Sequence, residues 1–276
     1  MTDLHEMDAT AQSDALRGGQ VSSVELVQHH LGRIDSYSLR LGAFITVTAE
    51  QALARAAAAD ARIAAGDADA DTARFTGVPT AFKDLTFTAG TPTSMGSVVM
   101  REFVPPVNAY AVDLIEKAGF ISLGKTNTPE FGLSSYTDND IIGPARTPWD
   151  TTRNAGGSSG GAAAAVSAGL VPLAQGSDGG GSIRIPASAC GIFGFKPSRG
   201  RVSAGPAGSG WTGLAGVGPL ARTGRGAAAL LDVKAHPMPG DVRPLPDPPA
   251  ANTEWIRRPP GRLRIARWST THLQGI

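Results

Sequence analysis

The chain has 276 residues, 41% hydrophobic and 18% charged, which suits a globular fold with a sizeable core and excludes a disordered one. Its 25 Lys and Arg stand against 24 Asp and Glu, a net charge of +1, so it carries no basic footprint for nucleic acid or an anionic membrane. A single cysteine, Cys190, excludes a disulfide framework and fits a reducing compartment, so a cytoplasmic protein is expected.

The opening Met1-Thr-Asp-Leu-His-Glu-Met-Asp8 has neither a basic stretch nor an apolar run, so no secretory signal is expected. No stretch approaches the roughly 18 uninterrupted apolar residues of a membrane span. The first third has a helical pattern. Ser22-Ser-Val-Glu25 is a capping box, and Val24, Val27, Leu31 and Ile34 follow as one helical stripe. Ala49 to Ala65 has good helix propensity, Gly66 stops it, and 67–73 is a short polar loop. Residues 1–66 are therefore expected as a helical segment packing on a core formed by 67–276.

From Phe75 the texture becomes α/β. Val78 to Phe82 predicts a strand ending at Lys83, Ala109 to Ala118 a helix closed by Gly119, and Phe120 to Leu123 a strand. A Gly/Ser loop over 156–161 leads into a helix over 162–168. Leu170 to Ala174 predicts a strand, and a second glycine-rich loop from Gly176 to Gly181 ends at Ser182. Strands alternating with helices argue for a sheet covered on both faces. Pro237 to Pro260 predicts an extended connection, and Arg262 to Trp268 a further strand. A strand opening so near the end suggests a fold continued beyond this chain.

Two loops carry chemistry. Gly156-Gly-Ser158-Ser159-Gly-Gly161 reads alone as a flexible turn, yet the Ala-rich helix directly after it makes it a helix entry. Gly176-Ser-Asp-Gly-Gly-Gly-Ser-Ile-Arg-Ile-Pro186 is more specific. Three glycines ahead of a serine let backbone amides converge on one point, as an oxyanion hole requires. Asp178 and Arg184 either pair to brace this loop or stand as two solvated charges.

Together with Gly77-Val-Pro-Thr-Ala-Phe-Lys83-Asp84, Leu123-Gly-Lys-Thr-Asn-Thr-Pro-Glu-Phe-Gly132 and Cys190-Gly-Ile-Phe-Gly-Phe-Lys-Pro-Ser-Arg-Gly-Arg-Val202, these loops resemble the amidase signature family. The resemblance runs from the first helix to about Leu231. It implies an α/β fold: a three-layer α/β/α sandwich around a twisted mixed sheet, here the amino-terminal portion, with the carboxy-terminal part of the family domain absent. It also implies hydrolysis of carbon–nitrogen bonds in small or linear amides, with Ser182 as nucleophile, Ser158 on a cis peptide as proton bridge and Lys83 as base. The amides of Gly179, Gly180, Gly181 and Ser182 would form the oxyanion hole. No cofactor and no metal are implied; the partner is a small-molecule amide, and unpaired sheet edges would favour a homodimer.

The chemistry follows from below. A serine hydroxyl is a poor nucleophile until a neighbour accepts its proton, and a lysine accepts one only as a neutral amine, so Lys83 must be desolvated. Two other readings stay open: a weak or inactive amidase fragment, and an amidotransferase A-type subunit. The latter usually carries Asn after the Lys-Asp pair, where Leu85 stands here. Gly200-Arg-Val-Ser-Ala-Gly-Pro206 looks more like free-standing amidases, including those cleaving nylon oligomers.

Three other patterns are set aside. Gly119-Phe-Ile-Ser-Leu-Gly-Lys125-Thr126 matches a P-loop, but its strand-like residues lie between the glycines and Pro129 stands where the new helix should run. Gly157 to Gly161 matches a nucleophile elbow centred on Ser159, but polar residues 148–155 precede it, and its base would be His236 or His272. His29 and His30 diverge by about 100° on a helix, which argues against a metal pair.

Overall fold

The structure is a computed structural model that describes residues 3–67, 73–208 and 213–266. Helices α1 (Ala9–Arg17) and α2 (Ser23–Leu41) come first. The Ser22 hydroxyl accepts from the Glu25 amide and the Glu25 carboxylate accepts from the Ser22 amide, so both halves of the capping box form. Val27, Ile34 and Leu41 of α2 are buried, each side chain contributing about 1.5–3 kcal/mol by its removal from water. A short strand, β1 (Phe44–Val47), follows, and α3 (Ala49–Ala64) spans nearly the stretch expected for it.

Next come β2 (Pro79–Lys83), α4 (Tyr110–Lys117), β3 (Ile121–Thr126), a two-stranded ribbon of β4 (Arg146–Thr147) and β5 (Asp150–Asn154), and α5 (Gly160–Ser167). The chain continues through β6 (Leu173–Asp178), α6 (Arg184–Cys190), β7 (Phe193–Gly194), β8 (Gly216–Ala221) and α7 (Gly224–Lys234). The main sheet is mixed, in the order β1-β3-β2-β6-β8-β7. Its central strands β3, β2 and β6 run parallel, while β1, β8 and β7 add antiparallel pairs outside them.

The layering shows in the alternation of side chains. Ala81, Ala174 and Leu220 enter one core with α2, α3, α5 and α6. Their chain neighbours Phe82, Leu173 and Ala221 enter a second core with α4 and α7. Successive strand residues point to opposite faces, so the sheet is a middle layer between two helical ones. All five residues of β2 are buried, and Pro79 stands at its first position, where a missing N–H is tolerated.

Several expected boundaries move. The strand expected at 170–174 lies at Leu173–Asp178, so Gly176, Ser177 and Asp178 are sheet and the glycine loop begins at Gly179. The connection 237–260 contains a helical turn at Asn252–Trp255. Residues 262–266 form no strand; the rest of that stretch, like 68–72 of the polar loop, lies outside the described residues.

Candidate active site

Lys83 is the last residue of β2, held between two parallel neighbours and wholly buried. Its main-chain N–H donates to Gln175 Oε1 of β6 at 3.2 Å. Its ammonium reaches Ser158 Oγ at 2.7 Å and Ser177 Oγ at 3.2 Å. Burial pulls the Lys83 pKa down to about 7, the Asp178 carboxylate opposing the shift. Near neutral pH this amine therefore exists in both protonation states.

Ser158 is buried and follows a cis Gly157–Ser158 peptide bond. A Cβ on Gly157 would come within 2.6 Å of the Tyr136 main chain, so only glycine lets the loop pass there. Helix α5 starts two residues beyond Ser158 and is buried on every side through Val166, its alanines allowing close approach. The Ser159 N–H donates to the carbonyl of Ser182 at 3.1 Å, joining the two loops.

The second loop is organised by Asp178. Its buried carboxylate takes Arg184 Nε at 2.9 Å and Nη2 at 3.0 Å, together with the amides of Gly181 at 2.7 Å and Ile183 at 3.1 Å. Burial alone would raise this carboxyl; the guanidinium and amides bring it down to about 2. Asp178 and Arg184 thus pair, as one of the two sequence readings had it. Gly181, at φ +124°, turns the chain back so that its N–H points at Asp178. The Gly181 amide donates to Asp178, whereas those of Gly179, Gly180 and Ser182 make no hydrogen bond among the described residues. Ser182 is half-buried, and its hydroxyl likewise has no partner among the described residues.

Lys83 and Ser158 are therefore brought into direct contact, and the Ser182 loop is fastened to the Ser158 loop. Sequence reasoning missed Gln175 and Ser177. Once β6 is extended to Asp178, these two polar residues fall two apart on one face, and that spacing was the available signal.

The remaining patterns resolve differently. Ser159 Oγ donates to the Ser177 carbonyl at 3.2 Å, and the strand before it, β5, belongs to the small ribbon. His236 is exposed and meets Asp247 at 3.0 Å; His272 lies outside the described residues. Gly119 to Thr126 is a helix end followed by β3, without a phosphate-binding turn. His30 is buried between Gln12 and the Leu170 carbonyl, and burial lowers its pKa to about 3. Among the described residues no three His, Cys, Asp or Glu side chains are grouped to hold a metal ion, and no helix is long and apolar enough to cross a membrane.

Comparison with known proteins gives a consistent outcome. Residues 25–276 match the family model described as Amidase. A putative amidase of Synechocystis sp. is 44% identical over 266 residues, covering 96% of this chain and 53% of that protein. The A-type subunit of glutamyl-tRNA(Gln) amidotransferase from Chromohalobacter salexigens is 48% identical over 232 residues, covering 84% of this chain and 47% of that protein. Among solved structures, 6-aminohexanoate cyclic dimer hydrolase complexed with substrate superposes with a TM-score of 0.85 at 37% identity, covering 95% of this chain and 53% of the other. The chain spans about half the length of the curated relatives it matches.

Proposed function

The chain belongs to the amidase signature family, and from that premise we propose that it carries the Ser182–Ser158–Lys83 machinery of an amide hydrolase acting on small or linear amides. The single observation that carries this reading is the 2.7 Å contact between Lys83 Nζ and Ser158 Oγ, made by a lysine whose burial brings it to about 7. In the proposed cycle Ser182 Oγ attacks the amide carbonyl carbon. Its proton passes to Ser158 Oγ as the Ser158 proton passes to neutral Lys83 Nζ. The tetrahedral oxyanion is met by the N–H groups of Gly179, Gly180 and Ser182, which make no hydrogen bond among the described residues and so remain available as donors. Collapse breaks the carbon–nitrogen bond, and the relay run in reverse protonates the departing amine. Water then attacks the acyl-enzyme by the same relay, releasing the acid and restoring Ser182.

No metal or cofactor enters these steps. A second reading, an amidotransferase A-type subunit, is favoured by the identity to the Chromohalobacter salexigens protein. The two part at the source of the amide. Hydrolysis of simple aryl and alkyl amides by the purified protein supports the first reading; release of ammonia from glutamine alone, with no turnover of those amides, would replace it by the second.

A further inference from the structure

The lysine of the P-loop-like pattern, Lys125, takes no part in the cycle above. It stands on β3 opposite Phe82 of β2, in parallel register, and is wholly buried. Its ammonium donates to the Thr86 carbonyl, to Thr88 Oγ1 at 3.2 Å and to Thr93 Oγ1 at 2.9 Å. An ammonium has three protons, so these acceptors satisfy it. All three belong to residues 84–97, a segment that follows Lys83 directly and contains no helix or strand. That segment has few backbone ladders of its own, so a buried amine that donates to three of its oxygens gathers it from the neighbouring strand. Asp84 adds the opposite charge from within the same segment, its Oδ2 receiving Ser94 Oγ at 2.5 Å and the Gly96 amide at 3.4 Å.

The network does not end at the segment. Thr86, whose carbonyl receives Lys125, donates its hydroxyl to Gln175 Oε1 at 2.9 Å. The same Oε1 accepts the Lys83 N–H at 3.2 Å. Lys125 is thus connected through Thr86 and Gln175 to the main chain of Lys83. We infer that Lys125 is a positioning residue for Lys83: by fixing Thr86 it holds Gln175 and the end of β2, keeping the Lys83 ammonium within reach of Ser158 Oγ. The inference rests on the proposed role of Lys83 as base. A lysine that merely supports the fold would lower stability without changing how fast Ser182 reacts.

The test compares the wild-type protein with Lys125→Met, Thr93→Val and Thr93→Ser. Its readouts are the rate of Ser182 modification by a fluorophosphonate, located by peptide mapping, and the melting temperature. Misplacement of a catalytic group by about 1 Å can cost 100-fold, so Lys125→Met should slow labelling by about 10- to 100-fold. Thr93→Val, which deletes one acceptor at nearly constant shape, should slow it about tenfold, and Thr93→Ser should restore the wild-type rate. Labelling of folded Lys125→Met within twofold of wild type overturns the inference. Should that variant not fold, Thr93→Val within twofold of wild type overturns it equally, as does a Thr93→Ser protein as slow as Thr93→Val. A wild type whose Ser182 is not labelled would instead sink the proposed function, and the positioning role with it.

Discussion

The Ser159 main-chain N–H and the Ser182 carbonyl meet at 3.1 Å, so the glycine-rich loops on either side of β6 are fastened one residue from the Ser158 hydroxyl and at Ser182 itself. That bond belongs to the backbone and survives replacement of either side chain. Side-chain variants at Ser182 and Ser158 therefore test chemistry and leave the fold in place.

For Ser182→Ala the expected outcome is loss of turnover by several decades with an unchanged melting temperature. The same serine, and not Ser159, should carry the fluorophosphonate adduct, because Ser159 Oγ is engaged by the Ser177 carbonyl. Peptide mapping distinguishes the two. Residual turnover within tenfold of wild type would remove Ser182 from the nucleophile's role.

The pH dependence of Ser182 labelling should report Lys83. Its amine is charged below about 7 and neutral above, so the rate should rise with pH through a midpoint near that value. In Lys83→Met the midpoint should vanish and the rate should fall by several decades. A wild-type profile flat from pH 5.5 to 9 would exclude Lys83 as the base.

Asp178→Asn should damage the site from behind. The carboxylate satisfies the Gly181 and Ile183 amides and both guanidinium donors at once, and a neutral amide with a single acceptor oxygen cannot replace it. A buried donor left unpaired costs about 1–3 kcal/mol. Denaturant melts should show a loss of that order, together with slower Ser182 labelling. Unchanged stability would mean that Arg184 and the amides find other partners.

Lys234 offers a test away from the site. It is wholly buried, its ammonium has no hydrogen-bond partner among the described residues, and burial lowers its pKa to about 7. Lys83 and Lys125 are lowered likewise from 10.5. Between pH 7 and 10.5 the unfolded chain thus binds more protons than the folded one, and stability rises with pH across that window. The Cys190 thiol, pushed up to about 11 from 9.0, acts in the opposite direction at the alkaline end, so the measurement belongs between pH 7 and 9. Each lysine contributes at most about 1.4 kcal/mol per pH unit to the slope. Lys234→Met should stabilise the protein at pH 7 and flatten the slope by one lysine's share. A destabilised variant with the wild-type slope would show that the amine is paired.

What the sequence made legible had local causes. The capping box at Ser22 and the strand ending at Lys83 follow from residues a few positions apart. The end of β6 was missed because Gln175, Gly176 and Ser177 have loop-like composition. Gln175 and Ser177 are polar on the face of that strand that meets Lys83, a partner that lies 92 and 94 residues away. The family signature pointed to Lys83, Ser158 and Ser182, yet it could not tell that the Gly181 amide turns towards Asp178, since that depends on one φ angle. The three threonine-segment acceptors of Lys125 were equally hidden, because they converge only after residues 84–97 have turned back on themselves.

If Lys83 is the base, the pairing of β2 with β6 also sets when this protein would become reactive. Contacts spanning 92 and 75 residues close slowly, because the entropy of long loops is lost before the strands reward it. Synthesis proceeds from the amino terminus, so a nascent chain presents its lysine well before either serine has emerged. Until β6 docks beside β2 the lysine remains solvated and charged, with no hydroxyl to deprotonate. On the proposed mechanism a half-made or misfolded chain would therefore be chemically silent, and reactivity would arrive together with the native sheet.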